Sequence, residues 1–406
     1  MAGRARALAG HLALAALVAW ATLASWAPGA VASPAAPAPR TVGTVGAVGA
    51  VGAVGLRVQG NQIVNAHGQP VRLIGFNSSG AEYACEEGWG IFDTPTTGMP
   101  APTVAAMAAW TGANVVRVPV DEQCWLGLAG VERAYAGARY QHAIEAFVAL
   151  LNAYGFAVVL DLAGTAPGAE RSANQEEMPD QHSLAFWRSG ASIFGHNDAV
   201  LFDLFNEPWP DGDSGSAAAW QCWRNGGCLE TSQNGGERYS AVGMQQLLYT
   251  VRATGARNIV IAEGIQYGET VDQWLRYRPN DPTGNLIAST HVYSFNDCSD
   301  LACYNGPMRT VAQRVPLFIG ELGPDLTTAY TAQLDVSCPR GDVGSSGFDD
   351  QLLGWAAHNG VGWAAWSWNP WGDCWSLVAN WSGRPTVPYG QLVRSALLSQ
   401  RQAAPA

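Results

Sequence analysis

From residue 56 onward, short runs rich in β-branched residues recur along the chain at positions 71–76, 114–120, 156–162, 199–205, 258–262, 286–290, 315–320 and 361–366. Each is nearly continuous in apolar character, the pattern of strands buried on both faces. Between most of them lie stretches with a different period. Positions 140–154, 182–194, 238–254 and 348–358 carry apolar residues three and four apart, as an amphipathic helix requires, and the last reaches a helix stop at Asn359-Gly360. Eight strand-like runs interleaved with helices predict an α/β fold, a (β/α)8 TIM barrel with a parallel sheet closed on itself. Ahead of the first run, positions 56–70 alternate apolar and polar residues around Gly60-Asn61 and His67-Gly68, which predicts a small N-terminal β-hairpin closing the barrel floor.

The N-terminal part of the chain does not join this pattern. Arg4 and Arg6 precede an apolar stretch from Leu12 to Leu23, and Ala30-Val31-Ala32 makes a small-residue cleavage site, so residues 1–32 read as a secretory signal peptide. The apolar stretch is shorter than the roughly 20 residues that span a bilayer. An uncleaved anchor is the alternative. Residues 33–55 are rich in Pro and Ala and then repeat Val-Gly-Ala, with Arg40 their only charge, and read as a low-complexity linker. That leaves one large domain at 56–400 and a flexible tail at 401–406.

Composition narrows the partners. With 33 acidic against 22 basic residues the formal net charge is −11, and no Lys/Arg cluster tracks a phosphate backbone, so nucleic acid is excluded as a partner. Eight cysteines behind an export signal favour disulfides over thiols, and no paired Cys-x-x-Cys spacing suggests zinc. Pairing sequence-near cysteines gives Cys222 with Cys228 and Cys298 with Cys303, and then Cys85 with Cys124 and Cys338 with Cys374.

In such a barrel the residues just past each strand face one cleft. Here they are Asn77, Arg117, Asp121, Asp161, Asn206, Glu207, Glu263, His291, Tyr293, Glu321 and Trp366. Glu207 stands out, because it ends the apolar run 199–205 between Asn206 and Pro208, where an acid among apolar neighbours points to chemistry. An Asn-Glu-Pro turn capping the next helix is the bland alternative. Two carboxylates at this rim could cleave a glycosidic bond, with retention at a separation of about 5 Å or inversion at about 6.5–9.5 Å. The partner of Glu207 stays open by position, since Glu263 and Glu321 both follow apolar strands. Seventeen tryptophans exceed what a barrel core needs, and Trp89, Trp125, Trp209, Trp368, Trp371 and Trp375 fall in predicted loops near the rim. Sugar rings stack on such faces, and about half of the six are expected to touch sugar.

The chain resembles family 5 glycoside hydrolases, the cellulase family A of the Asn-Glu-Pro clan of retaining β-glycosidases, over nearly all of its length after the linker. The carriers are Leu-Arg-Val-Gln-Gly-Asn-Gln-Ile-Val at 56–64, Val-Val-Arg117-Val-Pro, Phe-Asn206-Glu207-Pro208, His291-Val-Tyr293, Phe-Ile-Gly-Glu321 and Ala-Trp366-Ser-Trp368. The resemblance implies that Glu207 is the acid/base and Glu321 the nucleophile. It further implies that Asn206 binds the sugar 2-hydroxyl, that Tyr293 and Arg117 keep the Glu321 carboxylate ionised, that His291 supports Glu207, and that Trp366 floors the cleaved subsite. For Arg117 and His291 the bland alternatives are a buried ion pair tying strands together and a satisfied core histidine.

One departure stands out. Family members usually carry a histidine two residues after the aspartate of the third strand, and this chain reads Leu160-Asp161-Leu162-Ala163-Gly164. The loss of that imidazole would weaken transition-state binding by roughly 1–3 kcal/mol, or signal a different sugar. His182 is the nearest substitute, although it reads better as the polar start of a helix. The expected function is thus a secreted, extracellular, retaining β-glycosidase acting on a β-linked polysaccharide or oligosaccharide, foremost an endo-β-1,4-glucanase. It needs no metal and no cofactor, has no membrane partner once the signal is cleaved, and works as a monomer. A β-mannanase, exo-β-glucosidase or diglycosidase is the alternative within the family, and a weakly active carbohydrate-binding pseudoenzyme, spoiled by Ala163, the alternative outside it.

Overall fold

The computed structural model describes residues 54–95, 98–168, 170–326 and 347–402. The expected signal peptide, most of the linker, residues 403–406 and Cys338 lie outside the described residues. Twelve strands follow in chain order: β1 (Arg57–Gln59), β2 (Gln62–Val64), β3 (Ile74–Asn77), β4 (Val115–Asp121), β5 (Ala157–Gly164), β6 (Val200–Asp203), β7 (Gly226–Thr231), β8 (Arg238–Val242), β9 (Val260–Glu263), β10 (Leu286–Val292), β11 (Leu317–Leu322) and β12 (Gly362–Ala365). Eight of them close into a parallel barrel in the order β3-β4-β5-β6-β9-β10-β11-β12, with β12 pairing β3. Each of these eight overlaps one of the apolar runs.

Alternation along the strands sorts side chains into two layers. Val116, Val118 and Val120 of β4, like Val158, Leu160 and Leu162 of β5, join the larger core cluster between sheet and helices. Val115, Val159, Leu201, Ile261, Ile287 and Phe318 form a separate cluster. These are the alternate residues, so they point into the barrel. The same parity carried two residues further, toward the strand ends, turns Arg117, Asp161, Asp203, Glu263 and Ser289 inward. A polar layer therefore sits on an apolar plug.

The hairpin β1–β2 closes the opposite end, as the alternation at 56–70 predicts. Its Leu56 and Ile63 belong to the interior cluster. Val58 N–H donates to Asn285 Oδ1 at 2.9 Å and Asn61 Nδ2 donates to Ala312 O at 2.9 Å, both partners lying just before barrel strands. Disulfides join Cys85 to Cys124, Cys222 to Cys228 and Cys298 to Cys303, as expected from their spacing.

One helix expectation is corrected. Positions 238–254 divide into strand β8 and the helix Met244–Ala253, because Arg238–Val242 alternates exposed and buried residues and pairs antiparallel with β7. Gly243 separates the two elements. The β7–β8 hairpin was hidden in the sequence by its short, mostly polar strands. The expected helices at 140–154, 182–194 and 348–358 are present as Ala138–Ala153, Gln181–Phe194 and Phe348–His358. The closing helix Tyr389–Gln402 runs two residues into the expected tail.

Candidate active site

Parallel pairing brings the polar layer together. Asn77 lies opposite Arg117, Asp161 opposite Asp203, Glu263 opposite Ser289 and His291 opposite Glu321. A register shift between Thr290 and His291 lets the imidazole turn toward the centre. Gly320 makes room for it, since a Cβ there would stand 2.9 Å from His291 Nε2.

Arg117 is the hub. Fully buried, it donates from Nη1 to Glu321 Oε1 at 2.7 Å and from Nη2 to Glu263 Oε1 at 2.9 Å and Asn206 Oδ1 at 2.7 Å. Its Nη2 also stands 3.1 Å from Asp161 Oδ1 and its Nε 3.3 Å from Asp203 Oδ2. The second Glu321 oxygen accepts from Tyr293 Oη at 2.5 Å. Burial and the adjacent Glu321 push the Tyr293 phenol well above its ordinary range, so it stays a donor.

Glu207 is held differently. Its backbone has φ +51°, a left-handed conformation costly for a residue with a Cβ, and its N–H donates to Glu263 Oε2 at 2.9 Å. His291 Nδ1 lies 2.8 Å from Glu207 Oε1, while Nε2 lies 3.0 Å from Glu263 Oε1 as an ion pair whose N–H is not aligned for a hydrogen bond. Burial raises the Glu207 carboxyl above its ordinary value, against the pull of His291. Burial also disfavours a charged His291, but Glu263, Glu321 and Glu207 around it outweigh that and keep the imidazolium. Glu263 is lowered in spite of burial, by His291 and then Arg117. Burial raises Asp161 and Asp203 well above the ordinary value of an aspartic acid, against the pull of Arg117.

The structure separates the two partners that position left open. Glu263 is fully buried beneath His291, whereas the side chains of Glu207 and Glu321 remain 23% and 7% exposed. One carboxylate oxygen of Glu207 and one of Glu321 lie within 4.8 Å of each other. Both Glu263 oxygens are taken, by Arg117 and by the Glu207 N–H, while Glu207 and, narrowly, Glu321 keep some exposed side chain.

The family model described as cellulase (glycosyl hydrolase family 5) matches residues 64–372. The chain belongs to glycosyl hydrolase family 5. It is a glycoside hydrolase. A mannan endo-1,4-beta-mannosidase of Salipaludibacillus agaradhaerens is 22% identical to it over 348 residues, covering 83% of this chain and 89% of that protein. Among solved structures, a beta-glucanase of Saccharophagus degradans in complex with cellotetraose matches with TM-score 0.63 and 15% identity, over 85% of this chain and 93% of that one. A beta-mannanase from Thermomonospora fusca matches with TM-score 0.60 and 18% identity, over 86% and 97%. At these identities the structural likeness speaks for the shared barrel.

In the family 5 enzyme, Arg117, Asn206, Glu207, His291, Tyr293 and Glu321 converge on one point, and Trp366 is half-buried at the end of β12. Asp121 does not join them. It faces Glu86 and Ser172 and caps the helix Glu122–Leu126 by accepting from Cys124 N–H at 2.6 Å. Asp203 was missed among the rim residues, although its parity with Leu201 was legible. His182 sits in the first turn of its helix, with Nδ1 3.5 Å from the carboxylate of the capping Asp180.

Three of the six expected rim tryptophans are buried: Trp209 is 9% exposed, and Trp125 and Trp368 belong to the core. Trp125 donates to Ser189 Oγ at 3.1 Å and packs against Phe186, and Trp368 lies between Phe76 and Trp110 at 4.7 and 4.9 Å. Both are fully buried, Trp125 on the short helix Glu122–Leu126 after β4 and Trp368 in the segment after β12, and both join the core cluster outside the sheet. Trp89 and Trp371 are exposed near Tyr83 and Asp93, with Trp371 Nε1 donating to Asp93 at 3.0 Å. Across the barrel, Trp209 stacks on Tyr267 at 5.2 Å. Phe295 stacks on Tyr293 at 5.4 Å, with Trp375 against both.

Proposed function

We propose that this family 5 enzyme is a secreted, monomeric endo-β-1,4-glucanase that works by double displacement. The observation that carries the reading is the separation of the Glu207 and Glu321 oxygens, within 4.8 Å. That gap matches the roughly 5 Å of retaining pairs and leaves no room for a water between carboxylate and sugar.

Glu207, raised by burial, holds a proton for the glycosidic oxygen. Glu321, oriented by Arg117 and Tyr293, attacks the anomeric carbon as the leaving group departs with that proton. Glu207, now a carboxylate stabilised by the imidazolium of His291, takes a proton from the water that releases the glycosyl group. Asn206, fixed through its Oδ1 by Arg117, has its amide free to donate to a sugar hydroxyl. Trp366 offers the floor of the cleaved subsite.

Endo action rests on where the aromatic residues stand. Trp89 and Trp371 follow β3 and β12, which are neighbours, while Trp209 and Tyr267 follow β6 and β9, which lie diametrically opposite in the strand order. A chain crossing the mouth would meet the exposed Trp89 and Trp371 at one end and, at the other, the half-buried Tyr267 backed by the buried Trp209. Secretion rests on the leader-like N-terminus and three disulfides, and among the described residues no helix is long and apolar enough to cross a membrane.

A β-1,4-mannanase is the second reading, favoured by the mannosidase relative and by Ala163, since the missing imidazole removes a hydroxyl contact that a glucan-specific subsite would use. Reducing-sugar release from soluble β-glucans, β-mannan and aryl β-glycosides, beside Glu207→Gln and Glu321→Gln, tests both readings. Glucan cleavage lost in both variants supports the proposal. Mannan cleavage alone replaces the substrate, and binding without release from any of them overturns catalysis in favour of a binding protein.

A further inference from the structure

Outside the catalytic pair, the carboxyls of Glu122 and Asp180 meet where the helix Glu122–Leu126 approaches the start of Gln181–Phe194. Glu122 is fully buried and Asp180 is 3% exposed. One oxygen of each is satisfied: Ser183 Oγ donates to Glu122 Oε2 at 2.7 Å, and His182 N–H donates to Asp180 Oδ1 at 2.5 Å. The other two, Glu122 Oε1 and Asp180 Oδ2, are buried and without a hydrogen bond among the described residues. His182 Nδ1 is likewise buried and makes no hydrogen bond, standing 3.5 Å from Asp180 Oδ1, although its side chain as a whole is 37% exposed. One donor atom from each of the three residues lies within 4.8 Å of the other two.

Buried acids need a compensating charge or proton, and among the described residues no Lys or Arg pairs with either of these two. A ring that turns one nitrogen inward while its far edge meets solvent also supplies an entry path. We propose that Glu122, Asp180 and His182 bind a divalent transition-metal ion of the Zn2+ class, bolting the segment after β4 to the helix after β5. Two carboxylate oxygens and one imidazole nitrogen, with a water as fourth ligand, suit tetrahedral Zn2+. Calcium takes about six to eight oxygen ligands, which this set lacks. The ion is structural, since the reacting oxygens belong to Glu207 and Glu321. A proton shared between the two acids is the competing occupant.

The test titrates EDTA-stripped full-length protein with Zn2+ and, separately, Ca2+ by calorimetry. It compares the wild type with His182→Ala, a change at a partly exposed side chain, and with Asp180→Asn, which keeps the helix cap. The expected result is one Zn2+ site per chain whose affinity falls roughly tenfold or more in both variants, with weaker Ca2+ binding. Three outcomes overturn the proposal: no Zn2+ uptake by the wild type, which leaves the shared proton; uptake unchanged in both variants; or Ca2+ bound as tightly as Zn2+.

Discussion

Replacing Arg117 by Met removes the one cation that touches Asp161, Asp203, Glu263 and Glu321 at 2.7–3.3 Å. Methionine fills most of the volume, so the cost is electrostatic. Breaking a buried ion pair from one side costs about 3–5 kcal/mol, because the partner charge stays buried. Four acids share this arginine, but burial raises Asp161 and Asp203, and His291 still stands 3.0 Å from Glu263 and 3.8 Å from Glu321, so the penalties do not add. The expected loss at pH 7 is therefore about 4 kcal/mol rather than a multiple of it. The acids left behind take up protons in the variant, so its native state binds more protons than its unfolded state, and stability falls as pH rises. The penalty should shrink by about 1.4 kcal/mol per pH unit for each acid that titrates. Urea unfolding of variant and wild type at pH 5 and pH 7, followed by tryptophan fluorescence, measures both quantities. A loss below about 1 kcal/mol, or the same loss at both pH values, would refute the reasoning.

Further predictions follow from the same groups. The alkaline limb of kcat/KM should report Glu207 above the ordinary range of a glutamic acid, and His291→Asn should move that limb upward, since His291 favours the Glu207 anion; a limb that moves down contradicts this. Trp368→Ala should cost about 3–5 kcal/mol of stability, whereas Trp371→Ala should leave the urea midpoint nearly unchanged and raise KM for long oligosaccharides. Burial pushes the carboxyls of Glu82, Glu269 and Asp349 up to about 7, so the native state keeps protons that the unfolded chain has released; their stabilisation is full below the unfolded values and is lost as pH rises through 7. The melting temperature should accordingly drop by a few degrees between pH 5 and pH 8, and a rise across that interval would contradict the account.

The barrel was legible because its strands are buried on both faces, and continuous apolar runs of that length have few other readings. What the sequence hid depends on contacts rather than on pattern. Arg238–Val242 alternates in burial only because β7 pairs with it, and the apolar spacing that continues into Met244–Ala253 made the whole stretch look helical. Trp125 and Trp368 follow strands like the exposed tryptophans do, and only the packing of a short helix and of the segment after β12 sends them into the core. At the site, spacing brought both Glu263 and Glu321 to the rim. Choosing between them requires knowing that His291 covers one and leaves the other open, a fact set by the register shift in β10. The cluster of Glu122 with the neighbours Asp180 and His182 depends on a contact between segments far apart in the chain, which no local pattern announces.

The most direct test of the central claim is the anomeric form of the first product released from a β-1,4-oligosaccharide, followed by proton NMR before mutarotation. The account predicts that the β-anomer appears first, because Glu321 holds the sugar covalently and water then attacks from the opposite face, the one the leaving group vacated. Initial release of the α-anomer would mean a single displacement by water, and would contradict the roles assigned to both carboxylates.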